Sequence, residues 1–255
     1  MENTLIDGRY LLLAAIGSGG EARVFRARDT TTGDEVALRL ALRPGPSAAF
    51  EPPEFFHDGW VRFLAAGSDP HYDAYQVFEL LKGLTLGQLI RPGPLNPSDW
   101  RFFVDESLDA VEALHDAGWI HGDLNADNFL QTASGWKLLE LPFFRLAPPE
   151  AHTALFGSIH TLAPEQIDGA RPDIRSDLYA LGCLYYYAAS GAYPHPGANE
   201  QEVAIHCLRF APEPLGEKAP GLPAPWSAWV MTLLAREPDH RTSPVAAARQ
   251  LLGVA

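Results

Sequence analysis

Residues 121–129 read His-Gly-Asp-Leu-Asn-Ala-Asp-Asn-Phe, with Asp123 followed five positions later by Asn128. Upstream of this polar stretch the chain is strand-like. Residues 10–16, 23–28 and 35–40 are short β-type runs separated by Gly-rich or Thr-Thr-Gly-Asp turns, and 61–66 and 74–79 continue the pattern. Around and after it helical spacing takes over. Ser98 is read as the cap of a segment with Phe102, Val104, Leu108, Val111 and Leu114 at three- and four-residue intervals. Residues 176–189 form an apolar helix buried nearly all round, and 227–235 and 244–252 form amphipathic ones. A small antiparallel sheet followed by a helical bundle is an α+β layout with a cleft between its two parts.

Composition narrows the function classes. A chain of 255 residues suits one two-lobed domain or two small ones, and 47% hydrophobic against 20% charged residues can bury a sizeable core. The net charge of −13 argues against nucleic acid and anionic membrane as partners, because both call for basic patches. Cys183 and Cys207 are the only cysteines, both in apolar stretches, and read as buried thiols of a reduced cytoplasm rather than as a disulfide. Met1 is followed by Glu2-Asn3 and not by a basic segment with an apolar run, so a soluble cytoplasmic protein without a signal peptide is expected. The longest apolar stretch, 178–189, is too short to span a bilayer and holds three consecutive tyrosines.

The stretch at 121–129 resembles the catalytic loop of the protein-kinase superfamily, H-R-D-L-x-x-x-N. The resemblance makes Asp123 the catalytic aspartate, Asn128 the metal-binding asparagine and His121 a packed scaffold residue. Further motifs follow in the family's order from residue 9 to residue 252. Gly17-Ser18-Gly19-Gly20-Glu21-Ala22-Arg23-Val24 resembles the Gly-rich loop, with Ala22 at its third glycine. Taken alone, a glycine cluster between two strands is more often just a hairpin turn, and it is the downstream motifs that favour the Gly-rich loop. Val36-Ala37-Leu38-Arg39 stands at the strand whose Ala37 and Arg39 face the nucleotide, and a period of two puts Val36, Leu38 and Leu40 on the other face. Glu79-Leu80-Leu81 matches the hinge that bonds adenine through its backbone, placing Glu79 and Leu81 there with Gly17, Gly19 and Val24. Phe78 is read equally as gatekeeper or as filler at the back of the cleft. Residues 157–165, Gly-Ser-Ile-His-Thr-Leu-Ala-Pro-Glu, resemble the end of an activation segment. Asp177 looks like the anchor of the catalytic loop, and Arg241 like the arginine that pairs with Glu165; all three are structural. His-Gly-Asp also occurs in small-molecule phosphotransferases, but Ala163-Pro164-Glu165 points to the serine/threonine branch common in bacteria. The resemblance implies one domain over 1–255, with an N-lobe at about 1–79, a hinge at about 79–83 and a C-lobe at about 84–255.

Departures from the family pattern fall on the parts that handle charge. Arg39 replaces the phosphate-gripping lysine, and a planar guanidinium does not substitute simply for an ammonium. Leu139-Glu140-Leu141-Pro142 stands in place of D-F-G, so the metal carboxylate of Glu140 sits on an arm about 1.5 Å longer, and Pro142 stiffens the segment. Asn125 replaces the loop lysine, and Gly122 the arginine that would read a phosphorylated loop, so Thr153, Ser158 and Thr161 lose one usual partner. His57 follows Arg39 by 18 positions (57 − 39), interrupted by Pro44, Pro46, Pro52 and Pro53. The regulatory helix is therefore read as lost or reduced to a turn, with Glu51 and Glu54 its only acidic candidates. Together these departures imply a pseudokinase that binds or allosterically regulates a protein partner, with no cofactor or with weak ATP and Mg or Mn. Asp123 is then a vestige. The alternatives are an atypical active serine/threonine kinase using Arg39, Asp123, Asn128 and Glu140, and a small-molecule phosphotransferase.

Overall fold

The structure, a computed structural model, describes residues 3–18, 22–41, 56–139, 144–145 and 157–241. The chain divides into two compact units, residues 1–82 and 83–255. The first is a six-stranded antiparallel sheet of β1 (Leu5–Ile6), β2 (Tyr10–Ser18), β3 (Ala22–Asp29), β4 (Glu35–Ala41), β5 (Phe63–Asp69) and β6 (Asp73–Glu79). The strand order is β1-β2-β3-β4-β6-β5. The five longer strands are those read from sequence, although β5 begins at Phe63 rather than at Val61. Val36, Leu38 and Leu40 are 4%, 0% and 1% exposed, and they form a core with Phe25, Ala27, Tyr75 and Val77. Ala37 and Arg39 point to the opposite, half-buried face, as the period of two requires.

Hydrogen bonds at the strand ends hold this sheet in register. Asp29 accepts Thr31 N–H (2.9 Å) and, through its carbonyl, Gly33 N–H (2.7 Å), closing the β3–β4 turn with Gly33 at φ +84°. Its carboxylate also takes Arg9 Nε (2.9 Å) and Nη2 (2.7 Å), which tie β2 to β3. At the same end Tyr75 donates its hydroxyl to Asp7 Oδ2 (2.6 Å), and Asp7 N–H donates to Asp69 Oδ2 (2.8 Å). The turn between β1 and β2 is thereby pinned to both strands of the β5–β6 hairpin beside its turn.

The second unit holds β7 (Leu84–Thr85), α1 (Leu86–Ile90), α2 (Pro97–Asp116), β8 (Trp119–Ile120), β9 (Phe129–Thr132), β10 (Gly135–Leu138), β11 (Phe144–Arg145), α3 (Pro164–Ile167), α4 (Ile174–Ser190), α5 (Glu200–Arg209), α6 (Leu215–Lys218) and α7 (Ala224–Leu233). Two corrections concern α2. Its N-cap is Asn96, whose side chain accepts from Ser98 and Asp99 N–H (3.0 Å each), with Pro97 in the first turn. Asn and Ser cap about equally well, and a proline two positions before the expected first helical residue fits the first turn itself. Phe102 is 42% exposed, while Phe103 is fully buried against Trp136 (4.6 Å), Phe129 (5.4 Å) and Tyr185 (5.7 Å). Helix α4 is buried nearly all round, as read, and ends at Gly191 with φ +79°. Tyr185 and Tyr186 are buried in it, and Tyr187 stacks on Tyr193 at 4.2 Å. The helix from residue 227 starts earlier, at Ala224. The reading of 244–252 as a helix lies outside the described residues, as do residues 42–55 of the stretch between Arg39 and His57, where the regulatory helix is read as lost or reduced to a turn. Cys183 and Cys207 are free and buried, and burial pushes both thiols up, Cys207 to about 11. Among the described residues no helix is long and apolar enough to cross a membrane.

Glu165 at the start of α3 and Arg241 beyond α7 meet in two parallel hydrogen bonds, Nη1 to Oε1 at 2.6 Å and Nη2 to Oε2 at 2.7 Å. The Arg241 side chain is fully buried, and the carbonyls of Ala235 (2.8 Å), Arg175 (2.9 Å) and Arg236 (3.1 Å) take its remaining donors. Its guanidinium lies 4.8 Å from the centre of the Tyr179 ring. Removing either partner strands a buried charge at a cost on the order of 3–5 kcal/mol. Arg241→Ala should therefore lower the melting temperature sharply, and an unchanged melt would contradict this packing. In the sheet unit, Arg9 holds the Asp29 carboxyl down to about 2. A depressed carboxyl contributes stability above its unfolded value of about 3.9 and loses it as pH falls through the folded value. The gap in melting temperature between the parent and Arg9→Met should thus close between about pH 4 and pH 2, which melts across that window would check.

Candidate active site

The stretch at 121–129 is placed from below by α4. Asp177, 1% exposed, accepts the N–H groups of His121 and Gly122, each at 2.8 Å, and meets His115 Nε2 at 2.8 Å. Gly122 takes φ +78°, a left-handed conformation that glycine adopts without strain. His121 is fully buried, and its Nδ1 accepts Asp123 N–H (3.2 Å). The expected anchoring role of Asp177 and scaffold role of His121 thus have matching geometry.

Above this anchor the loop is closed by side-chain amides. Asn128, 6% exposed, donates Nδ2 to the carbonyl of Asp123 (2.9 Å), and its own carbonyl accepts Leu139 N–H (2.8 Å). Asn125 donates Nδ2 to Asp123 Oδ1 (3.2 Å), while its Oδ1 accepts Asp127 N–H (3.0 Å). Asp123 Oδ1 also accepts Ser158 N–H (3.0 Å). One carboxylate oxygen of Asp123 therefore carries two donors. Among the described residues Oδ2 has none, and it is the oxygen available to a hydroxyl proton. Asn128 likewise turns its nitrogen inward, and among the described residues its Oδ1 takes no hydrogen bond; an amide oxygen is an atom type that hard divalent ions accept. Glu140, the expected second metal ligand, lies outside the described residues with Leu141, Pro142 and Thr153. Thr161, 3% exposed, donates its hydroxyl to the Ser158 carbonyl (3.2 Å).

Within the sheet unit, Gly17, Val24 and Arg39 lie side by side in one cross-strand row, with Gln76 next in line. Ala37 shares the face of Arg39, and Gly19 lies outside the described residues. Arg39 Nη1 lies 3.4 Å from Gln76 Oε1, a long contact, and no ion pair holds its guanidinium among the described residues. Such a face offers small apolar side chains to a planar ring and, at Arg39, a guanidinium to a phosphate. Glu79 ends β6 with its N–H on the Arg62 carbonyl (3.0 Å) and its Oε1 on Arg62 N–H (2.9 Å); Leu81 follows, half-buried. Phe78 is buried edge-on against Phe63 at 5.8 Å, so it packs whatever else it does.

Three residues of this arrangement escaped the sequence reading. His115 meets Asp177 across 62 positions, and no local signal marks it. Ser158 reaches Asp123 through its backbone, which sequence does not reveal. Asn125 stood out only as a missing lysine, whereas here it braces Asp123.

The protein kinase domain family matches residues 53–252. The chain is 33% identical, over 99% of its own length and 40% of the relative's, to the DNA damage-responsive serine/threonine-protein kinase RqkA of Deinococcus radiodurans. It is 30% identical, over 87% of its length and 29% of the relative's, to the serine/threonine-protein kinase pkn2 of Myxococcus xanthus. To the serine/threonine-protein kinase PknB of Mycobacterium tuberculosis it is 29% identical over 96% of its length and 42% of the relative's. The chain thus spans less than half the length of the curated relatives it matches. With an antiparallel-sheet unit followed by a helical unit and the catalytic-loop motif between strands β8 and β9, this chain belongs to the protein kinase family, in its bacterial eukaryotic-type serine/threonine branch.

Proposed function

We propose that this domain transfers phosphate from ATP to serine or threonine hydroxyls of a protein, with Asp123 as proton acceptor. The observation that carries this reading is the built catalytic loop, in which Asp123 has one oxygen committed to Asn125 and Ser158 and the other without a donor among the described residues. The names of the relatives point the same way, and they support transfer better than the partner-binding pseudokinase that the motif departures suggest. Bound ATP would supply the phosphoryl group. Asn128 and Glu140 are the residues of this chain that would hold its Mg or Mn, and Arg39, with Gly17, Gly19, Val24 and Ala37, the ones that would receive the nucleotide. In this reading residues 1–79 and 84–255 act as lobes joined by 79–83, and Glu79 and Leu81 present backbone groups to the base.

A second reading, regulation of a protein partner without transfer, is favoured by Arg39, Asn125 and Glu140 standing where the family has lysine, lysine and aspartate. Charge preorganisation is usually the largest catalytic contribution, so these changes slow transfer even where they do not abolish it.

Incorporation of label from γ-labelled ATP, with Mg²⁺ or Mn²⁺, into the protein itself and into a generic protein substrate tests both readings. Transfer predicts slow incorporation that Asp123→Ala reduces to background and that Arg39→Lys with Glu140→Asp raises at least about tenfold. No incorporation with either metal, in parent or double mutant, would overturn it. The partner-binding reading further predicts no melting shift with metal-ATP, whereas a ligand at a hundredfold excess over Kd stabilises by about 2.7 kcal/mol.

A further inference from the structure

Gln76 is 7% exposed and lies in β6 among Ala74, Tyr75, Val77 and Phe78, all of them buried. A primary amide in such a place is costly unless it is hydrogen-bonded. Its Oε1 faces Arg39 Nη1 at 3.4 Å, and the two residues are direct cross-strand partners on β6 and β4. We propose that Gln76 is the positioning residue of Arg39. It holds one edge of the guanidinium so that the other edge is presented to the phosphates of a nucleotide. The inference rests on the reading in which Arg39 receives that nucleotide, and it adds to the phosphate grip a residue that no sequence motif marks.

The other neighbours of Arg39 on this face of the sheet cannot do the same. Its cross-strand partner on β3 is Val24, and Ala37 and Ala41 flank it along β4. Ala74 and Phe78 flank Gln76 along β6, and Ala66 on β5 is the other cross-strand partner of Gln76. All six are apolar. Arg26, diagonally placed on β3 opposite Ala37, is itself a donor. Among the described residues, Arg39 Nε and Nη2 have no hydrogen-bond partner, so only the Nη1 edge of the fork is committed.

The chemistry of the two side chains suits this division. A guanidinium spreads its N–H donors over a rigid plane, so an acceptor on one edge fixes the plane without consuming the other edge. A compact ammonium on a flexible stem has no second edge to offer. Gln76 is neutral, so it orients Arg39 and leaves the whole positive charge for an anion. The contact is long for N–H···O, as hydrogen bonds of catalytic groups often are before the ligand arrives. Both residues sit on adjacent hydrogen-bonded strands, and the register Arg39↔Gln76 keeps the acceptor with the strand that carries the cation. The competing reading is packing alone, in which the amide only satisfies itself against the nearest donor. The two readings differ in which ligands a substitution affects.

The test measures affinity for Mg-ADP and for adenosine, which has no phosphate, in the parent, Gln76→Met and Gln76→Leu. The two variants differ in shape and both lack the acceptor, and either one decides the matter if the other does not fold. Each should bind Mg-ADP about three- to tenfold more weakly than the parent, the size of one net hydrogen bond, and bind adenosine as the parent does. In an Arg39→Met background the same substitutions should cause no further loss of Mg-ADP affinity, because the side chain to be held is gone. Unchanged Mg-ADP affinity, equal losses for Mg-ADP and adenosine, or a loss that persists with Arg39→Met would each overturn the proposal. Failure of both variants to fold would show a packing role and overturn it as well. Gln76-dependent Mg-ADP binding in a chain that incorporates no phosphate would overturn the phosphotransfer reading alone and leave the Arg39–Gln76 assignment standing. A parent that binds no Mg-ADP would overturn both.

Discussion

The buried carboxylate of Asp177 is the constraint on which the site depends. At 1% exposure an ionised carboxylate is costly unless its lone pairs are filled, and two main-chain N–H groups and the His115 ring fill them. Because two of these partners are consecutive backbone amides, satisfying Asp177 fixes the path of the chain at His121 and Gly122. Gly122 completes the turn in a left-handed conformation that an arginine would adopt only with strain. The position of Asp123 thus follows from the burial of a different helix.

A second layer of bonds seats the segment after residue 156 on that loop. Ser158 N–H reaches Asp123, and Gly157, at φ +116°, passes so close that a Cβ would lie 3.3 Å from the Gly122 carbonyl. The same segment runs on to Glu165, locked by Arg241, so one strand of chain joins the buried ion pair to the reacting carboxylate. Asn125 changes meaning in this setting. Judged against the family's lysine it is a lost charge, yet its amide bridges Asp123 and Asp127 and holds the loop closed. Loss of a cation and retention of geometry are separable, and this chain separates them.

Much of the architecture was legible because it rests on periodicity. The alternation in Val36-Ala37-Leu38-Arg39 gave the buried face of β4, and the unbroken apolar run of α4 gave a helix enclosed on all sides. Misreadings fell where two residues compete for one local role. Asn96 caps α2 in place of Ser98, and Phe103 enters the core in place of Phe102, a difference of 100° around the helix decided by where Trp136 and Tyr185 stand. Helix α5 went unread although Asn199 followed by Glu202 is a capping pattern before the apolar Val203 and Cys207.

By itself the sequence determined the α+β order of elements, the family and the spacing of Asp123 and Asn128, because local hydrophobic period and short motifs are properties of neighbouring residues. Only the tertiary structure decided that Asp123 has, among the described residues, donors on one oxygen alone, that His115 serves Asp177, and that Glu202 rather than Glu200 helps cap α5. These depend on contacts such as Ser158 with Asp123 and His115 with Asp177, 35 and 62 positions apart, or on which of two nearby side chains a cap consumes, and neither is readable from neighbouring residues.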